Sequence, residues 1–273
     1  MRSKKLSVLL VRGIEDFCSD LYIKTFFIAA FLVLGLTLVS SAQSKSDNDE
    51  NGIPFTATAV RIEVNSTDGD AGLQIEFDAE PWTNVRVEGP DGRVVYSVSN
   101  RSKLRRLGST ENFMESNEPN FEDVPLPDIL KLLPAGEYEF EGRTIDRSEL
   151  DGAAILTHDL PCGPELIFPE EDETLNPDDT VVIVWEEVTN KLNLTTGECG
   201  DSSDLQIIGY QIVVDIVDSD PKQRFDIKVP ANVTTITVPP EFIAPVSEYT
   251  VEVLAIEASG NQTITESSFL TSN

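Results

Sequence analysis

Residues 207–217 read IIGYQIVVDIV, and residues 248–258 read EYTVEVLAIEA. Along an extended chain, Tyr210, Ile212, Val214 and Ile216 fall on one face of the first stretch. Tyr249, Val251, Val253 and Ala255 fall on one face of the second. Strand side chains alternate faces with a period of two, so each stretch reads as a β-strand with one buried face. Around them lie VVIVWEEV (181–188), which carries Trp185 at the end of a continuous apolar strand, RFDIKV (224–229), TTITV (234–238) and TITESSFL (263–270). With a proline-flanked first strand after Glu165, these predict seven strands between 165 and 273. Polar turns separate them, which is the pattern of a two-sheet sandwich.

The preceding half is also strand-rich. FTATAVRIEV (55–64) places Ala57 and Ala59 on an apolar face, then Ile62 and Val64 after a change of phase. LQIEF (73–77) alternates Leu73, Ile75 and Phe77. NVRVEGPDGRVVYSV (84–98) reads as a hairpin turning at Gly89-Pro90-Asp91-Gly92, with Val94, Tyr96 and Val98 on the return. Residues 104–133 break the pattern. They hold the one basic cluster after residue 43 (Lys103, Arg105, Arg106), an irregular acidic stretch, and a short helix from Pro127 to Leu133. This excursion is expected to cap the sandwich, with lining a ligand pocket as the alternative. EYEFEGRTI and GAAILTHDL then return to strands, and Pro161-Cys162-Gly163-Pro164 reads as a stiff joint.

Several features of 165–273 fall in one order: Trp185 on the second strand, Gly209-Tyr210 opening the third, and Ile243-Ala244-Pro245-Val246-Ser247-Glu248-Tyr249. In this the segment resembles a fibronectin type III domain. The resemblance implies that Ile243, Pro245 and Tyr249 build a tyrosine corner, whose phenol bonds back to the chain. Val246 stands where the family often has glycine, and the Glu186–Gln206 loop is longer than usual. The resemblance speaks to fold and not to activity. No Arg-Gly-Asp occurs. The first half matches no family by its motifs and looks like another immunoglobulin-type sandwich. The expected fold class is thus all-β: two β-sandwich modules, 55–160 with a short helical insertion and 165–273 of fibronectin type III/immunoglobulin-like type.

Residues 1–42 read as a signal peptide. Basic residues precede an apolar run from Phe26 to Val39, too short to be a comfortable bilayer span, and Ser40-Ser41-Ala42 offers a cleavage site. An uncleaved membrane tether is the alternative. Residues 43–54 read as an acidic linker. Removing the leader changes the formal net charge from −28 to −30. At low salt such a charge argues against nucleic acid, acidic polymers and anionic membranes, so no membrane contact is expected beyond an uncleaved N-terminal anchor; it favours cationic or simply aqueous surroundings. The expected location is secreted, extracellular or periplasmic. In an oxidising compartment Cys162 and Cys199 are a candidate disulfide. Asn-X-Ser/Thr triplets at Asn65, Asn100, Asn193, Asn232 and Asn261 are acceptors only in a eukaryotic secretory route.

Catalytic motifs are missing from this sequence. His158 is the sole histidine, and neighbouring Asp159 would face the other way on a strand. There is no nucleophile elbow, phosphate loop, nucleotide fingerprint or zinc motif. Asp47, Asp49 and Asn51 match half a calcium loop, and Asp68 and Asp70 form a second acidic turn, so calcium is the one cofactor with any motif support. Trp82 and Tyr96 are expected to pack in the core, with an aromatic sugar-binding surface as the alternative. The leading expectation is a noncatalytic binding or spacer protein engaging an unknown protein or glycan. The alternatives are a carbohydrate-binding or carbohydrate-active protein and a calcium-stabilised structural protein.

Overall fold

The computed structural model describes residues 52–202 and 204–273. In the first half, β1 (Ile53–Pro54) and β2 (Ala57–Asn65) lead into β3 (Asp70–Glu88), β4 (Val94–Ser99), α1 (Leu104–Leu107), β5 (Ser109–Glu115), α2 (Leu126–Leu132), β6 (Gly136–Thr144) and β7 (Glu149–Leu156). β3 organises them. Its first part lies between β2 and β5, and its second part between β4 and β6. The change falls near Pro81, where both pairings shift register around Trp82. Proline lacks the N–H a ladder needs, so it marks the bend. The two parts of β3 bury facing rows, Leu73, Ile75 and Phe77 on one and Val85 and Val87 on the other, with Tyr138 and Phe140 from β6. Phe77 contacts Trp82 and Phe140 at 5.5 and 6.0 Å between ring centroids.

Three local expectations change here. β2 turns Val60, not Ala59, inward with Ile62 and Val64, so its alternation runs unbroken and Ala57 is exposed. A register shift after Val87 turns Val94 outward and packs Val95 against the core instead. The 104–133 excursion contains β5, a strand of the sheet, as well as the expected helix, whose Leu126, Ile129 and Leu130 are buried.

The second half holds β8 (Leu166–Phe168), β9 (Glu173–Leu175), β10 (Val182–Trp185), β11 (Asn190–Leu192), β12 (Cys199–Ser202), β13 (Ile207–Ile216), β14 (Arg224–Pro230), β15 (Thr235–Thr237), β16 (Glu248–Glu257) and β17 (Gln262–Thr271). One sheet runs β15–β10–β8. The other runs β14–β13–β16–β17, with β9 alongside β17. The buried faces meet as a sandwich core of Ile183, Trp185, Tyr210, Ile212, Val214, Tyr249, Val251, Val253 and Phe269. Trp185 and Tyr210 meet edge-on at 5.4 Å, and Tyr249 stacks on Phe269 at 4.5 Å. The Tyr249 hydroxyl accepts the Ala244 N–H at 2.6 Å. The long 186–206 loop is occupied by the β11–β12 hairpin.

Between the halves the sheet does not stop. β17 pairs in parallel with β2, Gln262 opposite Glu63 and Ile264 opposite Asn65, so one sheet runs β1–β7–β6–β3–β2–β17–β16–β13–β14. Asn261 is 0% exposed. Its side-chain oxygen accepts the Ile62 N–H, and its amide donates to the carbonyls of Thr157 and Asp159. Thr263 donates to the Pro161 carbonyl. The 161–164 joint is therefore bridged by sheet hydrogen bonds, and Asp49–Asn273 is one compact unit.

Candidate functional site

Where β2 meets β17 the outward face of the joined sheet is polar and yet buried. Antiparallel sheets ordinarily leave one face to water. Here Asn65, Gln74, Gln211, Asp215 and Gln262 are buried, and Glu63 is 7% exposed. Each has a hydrogen-bonding neighbour on the same face, although the Gln211 side-chain oxygen has no partner among the described residues. Gln262 donates its amide to the Glu63 carboxylate, Gln74 donates to Glu115 (2.8 Å), and Arg61 donates to Gln74 (2.7 Å) and pairs with Glu76 (3.0 Å). Further along, Gln211 donates to both carboxylate oxygens of Asp226 (3.0 and 3.1 Å), and Arg224 grips Asp215 with two bonds (2.8 and 2.7 Å). Apolar Val213 and Leu254 are buried on this same outward face.

Burial controls the charge states. Desolvation pushes Glu63 up to about 7, with Glu115 adding to the rise and the Gln262 amide opposing it. Burial likewise pushes Glu252 up to about 7, with the charge of Glu266 on the facing strand adding to it. Two carboxyl groups on one face thus change charge near neutrality, and each when protonated becomes a hydrogen-bond donor. Carboxylate oxygens of Glu63, Glu115 and Glu118 lie within 4.8 Å of one another. Gly72 makes room for this, because a Cβ there would come 2.7 Å from Glu118 Cγ. Three oxygens so placed could hold a hard cation such as calcium. Glu63 and Glu115 already receive amide donors from Gln262 and Gln74.

The sequence-derived positions are distributed otherwise. Asp47, Asp49 and Asn51 lie outside the described residues. Asp68 is exposed and Asp70 buried at the β2–β3 turn, and neither belongs to the Glu63 cluster. Cys162 and Cys199 form a disulfide with a Cα–Cα distance of 5.3 Å, tying the joint to β12. Trp185, Tyr210 and Tyr249 are core residues, and Ile243 packs partly buried against the core beside Pro245. His158 Nε2 lies 2.7 Å from the Leu133 carbonyl, while Asp159 pairs with Lys191 at 2.6 Å, so the two form no dyad. Trp82 is buried in the core and cannot present a sugar platform. Tyr96 is half-buried and its hydroxyl donates to Asn112. Of the five Asn-X-Ser/Thr triplets, Asn65, Asn100 and Asn261 are buried, whereas Asn193 and Asn232 are exposed. Inspection of the sequence missed the polar face altogether. Its only trace was apolar Val213 and Leu254 at outward positions, a sign that both faces of those strands are covered.

The described residues make an all-β protein whose C-terminal half has the sheet order and tyrosine corner of a fibronectin type III sandwich. No family model matches this chain, and no curated protein does. Among the solved structures similar to it are fibronectin type III structures. Chicken CNTN1 FN1–FN3 domains share 12% identity at a TM-score of 0.31, covering 82% of this chain and 65% of that one. The fibronectin(III)-like modules of Clostridium thermocellum CbhA share 8% at 0.32, covering 80% and 93%. A segment of two fibronectin type III domains from chicken tenascin shares 9% at 0.27, covering 79% and 98%. This chain spans less than two thirds of the CNTN1 chain. Among the described residues no helix is long and apolar enough to cross a membrane.

Proposed function

We propose that the chain is an exported, noncatalytic binding or spacer protein that works outside the cell or at its surface and engages a protein or a glycan. The observation that carries this reading is the junction. The β2–β17 ladder and the buried Asn261 bridge hold the two halves as one stiff body. Loops on such a body keep a fixed geometry, so a partner need not freeze out their motion, and a spacer keeps its length. The sole histidine spends a ring nitrogen on a backbone carbonyl, and its neighbouring aspartate is held by a lysine. These groups serve structure rather than proton transfer.

The direct test is a panel of glycoside, ester and peptide substrates offered to the purified chain, alongside a glycan array. The expected result is no turnover, with any array signal independent of Trp82. Turnover that persists through purification and is lost in Glu63→Gln or Glu252→Gln would overturn the reading.

A further inference from the structure

Residues Arg101–Leu107 are exposed along their whole length. α1 has no buried residue, so packing does not account for its leucines. Leu104 is 48% exposed and Leu107 74%, and Ile145, in the β6–β7 turn, is 48% exposed. The turn and the helix are neighbours. Ile145 donates its N–H to the Pro81 carbonyl at 2.9 Å, and a Cβ on Gly108, the residue capping α1, would come within 3.0 Å of the Ile145 side chain. Arg101, Lys103, Arg105, Arg106 and Arg147 frame these three aliphatic side chains. All five are exposed, and none has an ion-pair partner among the described residues. Of the acids nearby, Asp146 accepts from Thr144 and Ser148 and Glu149 pairs with Arg143, while Glu80, next to Pro81, is exposed. On a chain of net charge −28 this patch is a local inversion of the surface.

The described chain also begins here. β1 runs parallel to β7 with Ile53 opposite Leu150, and a Cβ on Gly52 would meet Asp151. The chain therefore arrives beside the start of β7, directly after the 145–148 turn. The apolar run that ends at Val39 precedes Ile53 by fourteen residues, a reach of at most about 50 Å.

We propose that this patch is a lipid-contact surface. Leu104, Leu107 and Ile145 enter the interface of an anionic membrane while the surrounding cations meet lipid phosphates, the combination that gives surface binding without a span. The net negative charge does not forbid this. At physiological salt the Debye length is about 8 Å, so distant carboxylates are screened while groups in contact are not. Binding therefore passes through a maximum with salt, weakened by whole-body repulsion at the low end and by loss of the contact charges at the high end. The orientation of the body on the membrane rests on reading residues 1–42 as a membrane-directed leader; the patch itself does not.

The test is flotation of the chain from Gln43, which contains the whole compact unit Asp49–Asn273, with phosphatidylcholine vesicles made with and without phosphatidylglycerol. The expected result is flotation only with the anionic vesicles, reduced roughly tenfold or more in Arg105→Glu/Arg106→Glu. Leu104→Ser/Leu107→Ser is expected to reduce it as well, with thermal melting unchanged because every altered side chain is exposed. Failure to float with anionic vesicles at any salt, or equal flotation of both variants, would overturn the proposal. So would full competition by soluble polyglutamate in a manner indifferent to the leucines, which would point to an acidic protein partner. Vesicle binding is independent of substrate turnover, so this proposal and the noncatalytic reading fail separately.

Discussion

Val246 holds a backbone conformation that its side chain resists. Its φ is 52°, in the left-handed region where β-branched residues are true outliers, and it lies three residues before the tyrosine of the corner. The side chain is 72% exposed, so it returns little burial for that cost. What fixes the backbone is the surrounding bonding: Val246 N–H donates to the Ser272 carbonyl, Ser247 N–H to the Thr271 hydroxyl, and Ala244 N–H to the Tyr249 hydroxyl. Left-handed geometry costs an L-residue about 1–2 kcal/mol. Glycine removes that cost but adds about 0.5–1 kcal/mol of unfolded-chain entropy. Val246→Gly is therefore expected to raise stability by about 1 kcal/mol, read as a higher urea midpoint at unchanged slope. An unchanged or lower midpoint would show that the corner carries no strain at this position.

The strand pair β2–β17 makes the stability of the protein depend on pH in an unusual direction. Glu63 has its folded-state value raised to about 7 from 4.5, chiefly by burial. Between those two values the folded state holds a proton that the unfolded state has lost, so stability falls as pH rises across that window. Below it both states are protonated and the effect vanishes; above it the full cost of a buried charge is present, at most about 3 kcal/mol. Glu252 acts in the same direction. Glu63→Gln keeps an acceptor for the Gln262 amide and removes the titration. It should be more stable than the parent above neutrality, equal to it in acid, and flatter in a plot of urea midpoint against pH. A variant that is destabilised at high pH would mean that the carboxylate is needed charged. None of this was legible in the sequence, where Glu63 in VRIEV looks like the wet position of an amphipathic strand. The long strands of the second half were legible because each carries apolar residues over its own length, whereas the short β9, β11 and β12 were not among the seven expected. The β2–β17 pairing joins positions 199 residues apart, and nothing local records it. β5 was equally hidden, since STENFME buries no side chain fully and reads as loop. The phase of β2 was misread for a related reason: alanine is small enough to sit on either face, and Val60 decided the matter only once the register was seen.

At the scale of the whole molecule, the sequence suggests two modules on a stiff joint, and modules joined by linkers commonly unfold one at a time. The continuous sheet argues for a single transition. The molecule contains a direct probe of the difference, because one of its two tryptophans lies in each half: Trp82 in the first core and Trp185 in the second. Trp185→Phe leaves fluorescence that reports on the first half alone, and Trp82→Phe leaves a report on the second. Each loses a core ring and shifts its own midpoint, so the informative comparison is between fluorescence and far-ultraviolet dichroism within each variant. If Asn261 and the β2–β17 ladder couple the halves, the two signals coincide in both variants. Asn261→Ala removes the acceptor for the buried Ile62 N–H and the donor to two partly buried carbonyls. Each group left without a partner costs about 1–3 kcal/mol, so the loss should be about 3 kcal/mol or more. Because those bonds span the joint, the loss should fall on coupling as well as on total stability: in Asn261→Ala the fluorescence and dichroism transitions should separate in at least one single-tryptophan background. Coincident curves after a loss of that size would place the coupling in the ladder alone, whereas separate curves in the parent itself would mean that the halves unfold as independent modules despite the sheet that crosses between them.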